Sequence, residues 1–232
     1  MIDLSTRSAT AEIMDDFDLP PAEIDPVLDG LGKMNALFGG HQSLIKALKA
    51  FPVEDNNYIS DWGCGGGDVL IAIARWAQKH NINLKLNGVD AALAAVNFAR
   101  QQSSAYTHIS YVKADVLLVD YEPNKFDIIV SSLFTHHFAD NEWIALVSKM
   151  NNTARRGIII TDLHRHWLLY YAVKLITRLF TSNKMAQNDG PLSVQRSFKK
   201  HELKTLLAKA GISNYKLQWM WAFRWQIVIY KT

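Results

Sequence analysis

The sequence contains only one cysteine, Cys64, in 232 residues. A single thiol excludes an internal disulfide and any zinc site built on several thiolates. No apolar run approaches the ~18 residues that a membrane span requires, and the N-terminus lacks the basic start and hydrophobic stretch of a signal peptide. With 49% hydrophobic and 20% charged residues, the composition is that of a globular chain. We therefore expect a soluble, cytoplasmic protein.

The net charge of +3 is too small to indicate a nucleic-acid-binding protein, but the charges are unevenly distributed. Residues 1–30 contain eight acids and one base, whereas residues 155–209 contain eleven bases and three acids. Solvated helix faces at both ends are the simplest interpretation. The alternatives are an acidic partner such as a carrier protein, an anionic membrane surface, or a contact between the two ends of the chain.

The N-terminal quarter predicts a tail and a small helical cap. The first twenty residues are polar and read as a loose tail. Apolar residues at helical spacing then predict one helix that ends at Gly39-Gly40 and a second that ends before Pro52. We therefore divide the chain into a tail and cap, 1–52, and a main domain, 53–232.

The middle of the chain alternates strands with helices, an order that favours a parallel sheet covered on both faces. The predicted strands lie near 57–62, 84–89, 109–114, 126–132 and 157–162. The predicted helices lie near 67–79, 91–102 and 140–151, the last with Asp140 as its N-cap. Uninterrupted apolar runs such as 128–130 and 158–160 are typical of strands buried on both faces.

The C-terminal third departs from this alternation. We predict a long apolar helix over 165–181, an ordered loop over 183–196 and an amphipathic helix over 197–210. Two β-prone runs, 215–220 and 225–230, are close enough to pair as a hairpin. The whole is an α/β fold with a seven-stranded, mostly parallel sheet, a C-terminal antiparallel hairpin and a helical insertion, about 165–196, after the fifth strand.

A glycine-rich turn follows the first predicted strand. Gly63, Gly65 and Gly67 allow backbone N–H groups to approach a ligand closely, which is typical of a nucleotide site at the carboxyl edge of a sheet. The spacing differs from G-x-G-x-x-G, and no Gly-Lys-Ser/Thr follows, so a dinucleotide site is disfavoured and a Walker loop is excluded. Asp90 and Asp115 end the next two strands, where carboxylates can accept hydrogen bonds from ribose and adenine.

These residues resemble the motifs of the class I S-adenosylmethionine-dependent methyltransferases, which have a Rossmann-like fold. The resemblance covers about 57–163 and rests on Asp61-x-Gly63-Cys64-Gly65-x-Gly67, Asp90 and Asp115. It implies that S-adenosyl-L-methionine is the cofactor, with the methionine moiety at Asp61 and Gly63, ribose at Asp90 and adenine near Asp115. The full set that we expect at the cofactor is Asp61, Gly63, Cys64, Gly65, Gly67, Asp90, Ala91, Asp115, Val116, Ser131 and Ser132.

The fourth strand indicates which kind of acceptor to expect. Nucleic-acid methyltransferases that act on exocyclic amines resemble one another in an Asn/Asp-Pro-Pro-aromatic turn here, and cytosine C5 enzymes resemble one another in a catalytic cysteine. This chain has neither feature, so we expect a small-molecule acceptor and no nucleic acid. The candidate catalytic acid/base groups are His136, His137, His164 and His166, because imidazole titrates near neutral pH. A metal at His164-x-His166 with Asp162 and His136 is the weaker alternative, and we expect no metal.

The apolar helix over 165–181 admits three interpretations: core packing, a lid over the acceptor, or contact with a lipid surface. As a lid it would place Trp167, Tyr170 and Tyr171 beside Phe134 as acceptor-binding residues.

A finer resemblance concerns the acceptor. The segments at 12–16, 131–138 and 161–166 resemble bacterial ubiquinone/menaquinone-type methyltransferases, which are often encoded beside polyketide synthases. This implies a phenolic, quinone-like or polyketide acceptor, methylated at oxygen or carbon. A non-catalytic protein that binds S-adenosylmethionine or S-adenosylhomocysteine and an NAD-dependent oxidoreductase remain as alternatives.

Overall fold

The computed structural model describes residues 2–231, and its centre is a seven-stranded sheet. In chain order its strands are β1 (Tyr58–Trp62), β2 (Lys85–Asp90), β3 (Ile109–Lys113), β4 (Phe126–Ser132), β5 (Ala154–Leu163), β6 (Tyr215–Met220) and β7 (Arg224–Tyr230). Their spatial order is β3-β2-β1-β4-β5-β7-β6, and β7 is antiparallel to both of its neighbours. The predicted sheet and its terminal hairpin are confirmed.

Eight α-helices accompany the sheet in the part of the chain that the structure describes. They are α1 (Pro21–Leu37), α2 (Gly40–Leu48), α3 (Asp68–Lys79), α4 (Leu93–Gln102), α5 (Asp140–Thr153), α6 (Trp167–Phe180), α7 (Lys184–Arg196) and α8 (Lys200–Lys209). Helix α1 packs on α4, α2 on α3, α5 on α8, and α6 on α7. The two predicted cap helices therefore lie against helices of the main domain.

The central strands are buried on both faces, which explains their uninterrupted apolar sequences. Successive side chains of a strand point to opposite faces. In β4, Ile128 and Val130 accordingly join the apolar cluster on one face, and Ile129 joins the cluster on the other. The neighbouring strands and the helices on each side supply most of the remaining members of the two clusters.

The predicted loop over 183–196 is wrong, because these residues form α7 with Pro191 inside it. The side chain of Asn183 caps the helix by accepting a hydrogen bond from the Ala186 N–H at 3.1 Å. A Cβ atom at Gly190 would lie 3.0 Å from Val173, so glycine permits the close approach of α6. Tertiary packing therefore outweighs the weak helix propensity of Gly190-Pro191.

Helix α5 also begins differently from the prediction. Its N-cap is Ala139, and Asp140 is the first helical residue. The Asp140 carboxylate accepts a hydrogen bond from Arg7 at 2.7 Å instead of capping the helix.

The N-terminal segment, residues 2–19, is not a loose tail. The buried guanidinium of Arg165 donates hydrogen bonds to the carbonyl groups of Leu4 and Ser5. Further along, Arg196 forms an ion pair with Asp15 at 2.5 Å. Two residues of the basic segment, Arg165 and Arg196, thus contact the acidic segment, while most of the other charged side chains of both segments are exposed.

Helix α6 does not pack into the core as a buried helix, because Tyr170 is its one buried residue. Its apolar side chains are largely exposed, including Leu179 at 67% and Phe180 at 81%. Among the described residues, no helix combines the length and the apolar character needed to cross a membrane.

Candidate active site

A cavity of about 340 Å³ opens where the carboxyl ends of β1, β2 and β4 meet. From β1 the chain proceeds to β2 and β3 on one side of the sheet and then returns to β4 on the other side of β1. Open α/β sheets bind ligands at such a switch point in strand order. The cavity is lined by residues from the glycine turn, strand ends, α1 and the N-terminal segment, chiefly Gly63, Gly65, Asp90, Ala91, Asp115, Val116, Phe134, His137, Phe138, Met14, Asp15 and Phe17.

The glycine turn has the backbone conformation that its sequence predicts. Gly63, Gly65 and Gly67 have φ values of 72°, 46° and 77°, in the left-handed region that favours glycine. At Gly63 a Cβ atom would also overlap the ring of Phe134, so both the backbone conformation and the lack of space favour glycine at this position. At Gly67 it would lie 2.5 Å from the Tyr111 hydroxyl oxygen.

Two of the predicted acids lie on the cavity wall. The Asp90 carboxylate accepts hydrogen bonds from the N–H groups of Gly65 at 2.9 Å and Ala92 at 3.0 Å, so it also holds the glycine turn. Burial raises the pKa of Asp90 above its usual value. Asp115 accepts a hydrogen bond from the Leu117 N–H at 2.8 Å. Both carboxylates are therefore fixed by backbone N–H groups.

The third predicted acid, Asp61, is buried behind the turn and does not line the cavity. Its Oδ1 atom has no hydrogen-bond partner. Burial, reinforced by the charges of Asp68 and Asp90, raises the pKa of Asp61 well above its usual value. An unpaired buried carboxylate is costly, and a ligand ammonium group would relieve that cost. This unpartnered oxygen makes Asp61 a candidate partner for a cationic ligand group beside the turn.

Four further residues expected at the cofactor have structural roles. The Cys64 thiol is buried in the core, and burial raises its pKa. Gly67 precedes α3 as its N-cap, and the Ser131 hydroxyl donates to the Trp62 carbonyl at 2.9 Å. Ser132 ends β4 outside the cavity lining.

The histidine pair after β4 adjoins the cavity. His137 lines it, and its Nδ1 atom lies 2.5 Å from an Asp15 carboxylate oxygen. His136 lies directly behind, buried, with Nδ1 at 2.7 Å from Asp162. Burial alone would lower the pKa of His136, but Asp162 and Glu12 outweigh burial and raise it to about 10. This part of the site therefore has an excess of negative charge.

The histidine pair after β5 lies elsewhere, and neither His164 nor His166 lines the first cavity. The backbone N–H of His164 donates a hydrogen bond to the Phe223 carbonyl at 2.8 Å, so His164 lies beside the turn between β6 and β7. His164 and His166 line a second cavity with Trp167 and Tyr171. Tyr170 is buried and lies in neither lining. Helix α6 therefore does not cover the first cavity as a lid.

The N-terminal segment supplies wall residues that the sequence did not assign to the site, namely Met14, Asp15 and Phe17. The N–H groups of Ile13 and Met14 donate to the Asp189 carboxylate of α7, which fixes this segment over the cavity. The resemblance noted at 12–16 was the available signal.

A seven-stranded sheet closed by an antiparallel hairpin, with a glycine turn and acids at its carboxyl edge, defines the Rossmann-like methyltransferase fold. Independently, residues 59–157 match a protein-family model described as a methyltransferase domain. The matched segment contains the glycine turn together with Asp90 and Asp115, so the candidate site lies within this domain match.

Solved structures of similar fold agree. The chain is similar to a candidate O-methyltransferase from Nostoc punctiforme PCC 73102, with a TM-score of 0.63 and 19% identity, over 89% of this chain and 60% of that one. It is also similar to a SAM dependent methyltransferase from Aquifex aeolicus, with a TM-score of 0.64 and 15% identity over 91% and 98% of the two chains. At these identities the likeness establishes the fold.

Proposed function

We propose that the protein transfers the methyl group of S-adenosylmethionine to an oxygen or carbon atom of a small phenolic, quinone-like or polyketide acceptor. The observation that supports this proposal is that Phe17, Phe134, Phe138 and the imidazole of His137 line the same cavity as the glycine turn, with the Phe134 ring directly against Gly63. Aromatic walls with few polar groups are typical of sites for small, largely apolar ligands.

The cofactor side of the cavity would hold S-adenosylmethionine through three carboxylates. Asp61 would pair with the methionine ammonium, Asp90 would accept hydrogen bonds from the ribose hydroxyls, and Asp115 would face the adenine. The bound cofactor supplies an electrophilic methyl group on a sulfonium centre. The protein's contribution is to align an acceptor atom with that methyl group and exclude water, which can supply much of the acceleration.

Among the four candidate histidines, we assign the acceptor side to His137, with His136 behind it. His164 and His166 face a different cavity and have no part in this proposal. The aromatic residue that supports the acceptor is Phe134, whose ring packs against Phe138 with centroids 5.0 Å apart.

The experiment is methyl transfer from labelled S-adenosylmethionine to a panel of phenols, quinols and β-ketothioesters. We expect product with at least one of these classes. Transfer to nucleic acid or protein but to none of the panel would contradict the proposed acceptor. Cofactor binding without any turnover would favour the non-catalytic alternative, and calorimetry with NAD in parallel tests the oxidoreductase.

The cofactor assignment has a separate test in Asp90→Ala. We expect at least tenfold weaker binding of S-adenosylmethionine, because hydrogen bonds to charged groups contribute about 1.5–3 kcal/mol each. Asp120→Ala is the matched control, since the Asp120 carboxyl is 99% exposed. Denaturant unfolding of both variants separates lost binding from lost folding. Unchanged affinity in Asp90→Ala would show that the ribose site is misplaced.

A further inference from the structure

Three metal-ligating side chains converge beside the cavity. Candidate ligand atoms of Glu12, His136 and His137 all lie within 4.8 Å of one another. His136 Nε2 is 3.5 Å from one Glu12 oxygen, and His137 Nε2 is 4.0 Å from the other. Both His136 Nε2 and Glu12 Oε1 are buried without a hydrogen-bond partner. Unpaired buried polar atoms are rare, and these two face each other.

The opposite edge of each imidazole is anchored. Asp162 lies 2.7 Å from Nδ1 of His136, and Asp15 lies 2.5 Å from Nδ1 of His137. A carboxylate on the second ring nitrogen is the usual support of a metal-bound histidine, because it fixes the tautomer and orients the free nitrogen. The two Nε2 atoms are therefore presented together toward Glu12.

The charges around the cluster also favour a cation. Glu12, Asp15 and Asp162 contribute three negative charges, and Arg196, which lies 3.9 Å from a Glu12 oxygen and 2.5 Å from Asp15, contributes one positive charge. The nearby Arg7 is neutralised by Asp140. The three carboxylates outnumber the guanidinium groups of Arg196 and Arg224, so with neutral imidazoles the cluster would keep a net negative charge for a cation to balance.

We propose that Glu12, His136 and His137 bind a divalent transition metal ion. Two histidines and one carboxylate form a common set for zinc and for iron(II), and this set leaves coordination positions open. Metal–ligand bonds of about 2.0–2.2 Å require the donor atoms to be about 3–3.6 Å apart, so a pair of donor atoms as far apart as 4.8 Å would have to approach by about 1.2–1.8 Å. This site differs from the His164-x-His166 pair considered from the sequence.

Because His137 and Asp15 line the cavity, an open coordination position can face the acceptor. A phenolate or enolate oxygen bound there would be held and polarised by the metal as a Lewis acid. This use of the metal rests on the proposed function, whereas metal binding does not.

The test measures Zn²⁺ and Co²⁺ binding to the chelator-treated protein by calorimetry and elemental analysis, without acceptor. We expect one equivalent per chain, a visible Co²⁺ absorption band, and at least tenfold weaker binding in His137→Ala and Glu12→Gln. His166→Ala is the matched control and should retain wild-type affinity. Circular dichroism and S-adenosylmethionine binding verify that each variant is folded.

Three results would overturn the site: no stoichiometric metal in the wild type, equal affinity in His137→Ala and wild type, or loss in His166→Ala alone. Metal binding without methyl transfer to any acceptor would support the site and count only against the proposed function.

A separate observation concerns the exposed side of α6. Leu175, Leu179 and Phe180 project from a helix that carries Lys174 and Arg178 and no acidic residue. Aromatic contacts connect its first residue, Trp167, through His166 and Phe223 to Trp219 of the hairpin. The adjacent Trp221 is 69% exposed. Exposed apolar and aromatic residues interspersed with bases are typical of helices that lie in a lipid interface.

We infer that α6 and the β6–β7 turn dock on an anionic lipid surface. The probe is cosedimentation with vesicles of phosphatidylcholine alone or mixed with phosphatidylglycerol. We expect preference for the anionic vesicles and about tenfold weaker binding in Phe180→Glu, because burial of an exposed phenyl ring is lost. Leu118→Glu is the control, since Leu118 is 79% exposed and lies outside this surface. Equal sedimentation of all three proteins, or self-association without vesicle binding, would overturn the inference.

Discussion

Gly63→Ala is the substitution whose cost the structure allows us to divide into parts. The first part is backbone strain, because Gly63 has φ = 72° and a left-handed conformation costs other residues about 1–2 kcal/mol. The second is steric, because the added methyl group would overlap three ring carbons of Phe134. Overpacking of this kind costs about 1–3 kcal/mol. We therefore expect a loss of about 2–5 kcal/mol in the free energy of unfolding.

Two other glycines separate these contributions. Gly39 has φ = 73°, and a Cβ atom added there would have no neighbour within 4 Å, so Gly39→Ala reports strain alone. Gly30 lies inside α1 with open space, so Gly30→Ala should stabilise the protein by about 0.5–1 kcal/mol. In the double variant Gly63→Ala/Phe134→Ala the steric part should disappear and the strain should remain.

The assay is urea unfolding of all the variants, with S-adenosylmethionine affinity measured alongside. We expect a coupling energy of about 1–3 kcal/mol between positions 63 and 134. Two results would contradict this division into strain and overlap. One is a free energy of unfolding of Gly63→Ala within about 0.5 kcal/mol of the wild type, and the other is an equal loss with and without the Phe134 ring.

Three other substitutions test separate parts of the structure. Arg165→Met should lower the free energy of unfolding by about 3–5 kcal/mol and expose the N-terminal segment to proteolysis, because it leaves Glu202 unpaired. Arg178→Met, at an exposed arginine, is the control, and equal effects of the two substitutions would contradict this prediction. Burial and the nearby positive charges of His166, Arg165 and Lys199 lower the pKa of His164 to about 4. The unfolded state therefore binds more protons between pH 6.5 and 4, and the protein loses stability as the pH falls through this window. His164→Gln should reduce that loss, and an unchanged profile of unfolding free energy against pH would contradict the prediction. Asp61→Asn should stabilise the cofactor-free protein by about 1–3 kcal/mol and weaken S-adenosylmethionine binding; increased affinity would be the contrary result.

The sheet was predictable because its signals are local. Apolar runs such as residues 158–160 locate the buried strands, and the predicted strands agree with the structure to within about three residues. The largest shift is at β5, which begins at Ala154 directly after α5 ends at Thr153. The turn-forming residues Asn151, Asn152 and Gly157 flank that junction, so the local sequence favours a loop where the strand directly follows the helix.

Helix α6 illustrates a different limit. Its periodicity predicted a helix, and the structure has one. Periodicity shows that an apolar face exists, but it does not show whether protein, ligand or lipid covers that face. The position of its aromatic residues therefore depended on how α6 packs on α7, which the local sequence does not specify.

The two sides of the cavity differed in predictability for the same physical reason. The cofactor side depends on backbone conformation, which selects glycine at Gly63 and Gly65 and therefore leaves a pattern in a short stretch of sequence. The acceptor side depends on side chains far apart in the chain, since the contact between Asp15 and Arg196 spans 181 residues. Polar contacts of this kind have no periodicity, and a segment held by them resembles a loop. The residues that select the acceptor are thus those with the weakest sequence signal, and substitutions at Phe17 and Met14 should alter acceptor preference more than cofactor affinity.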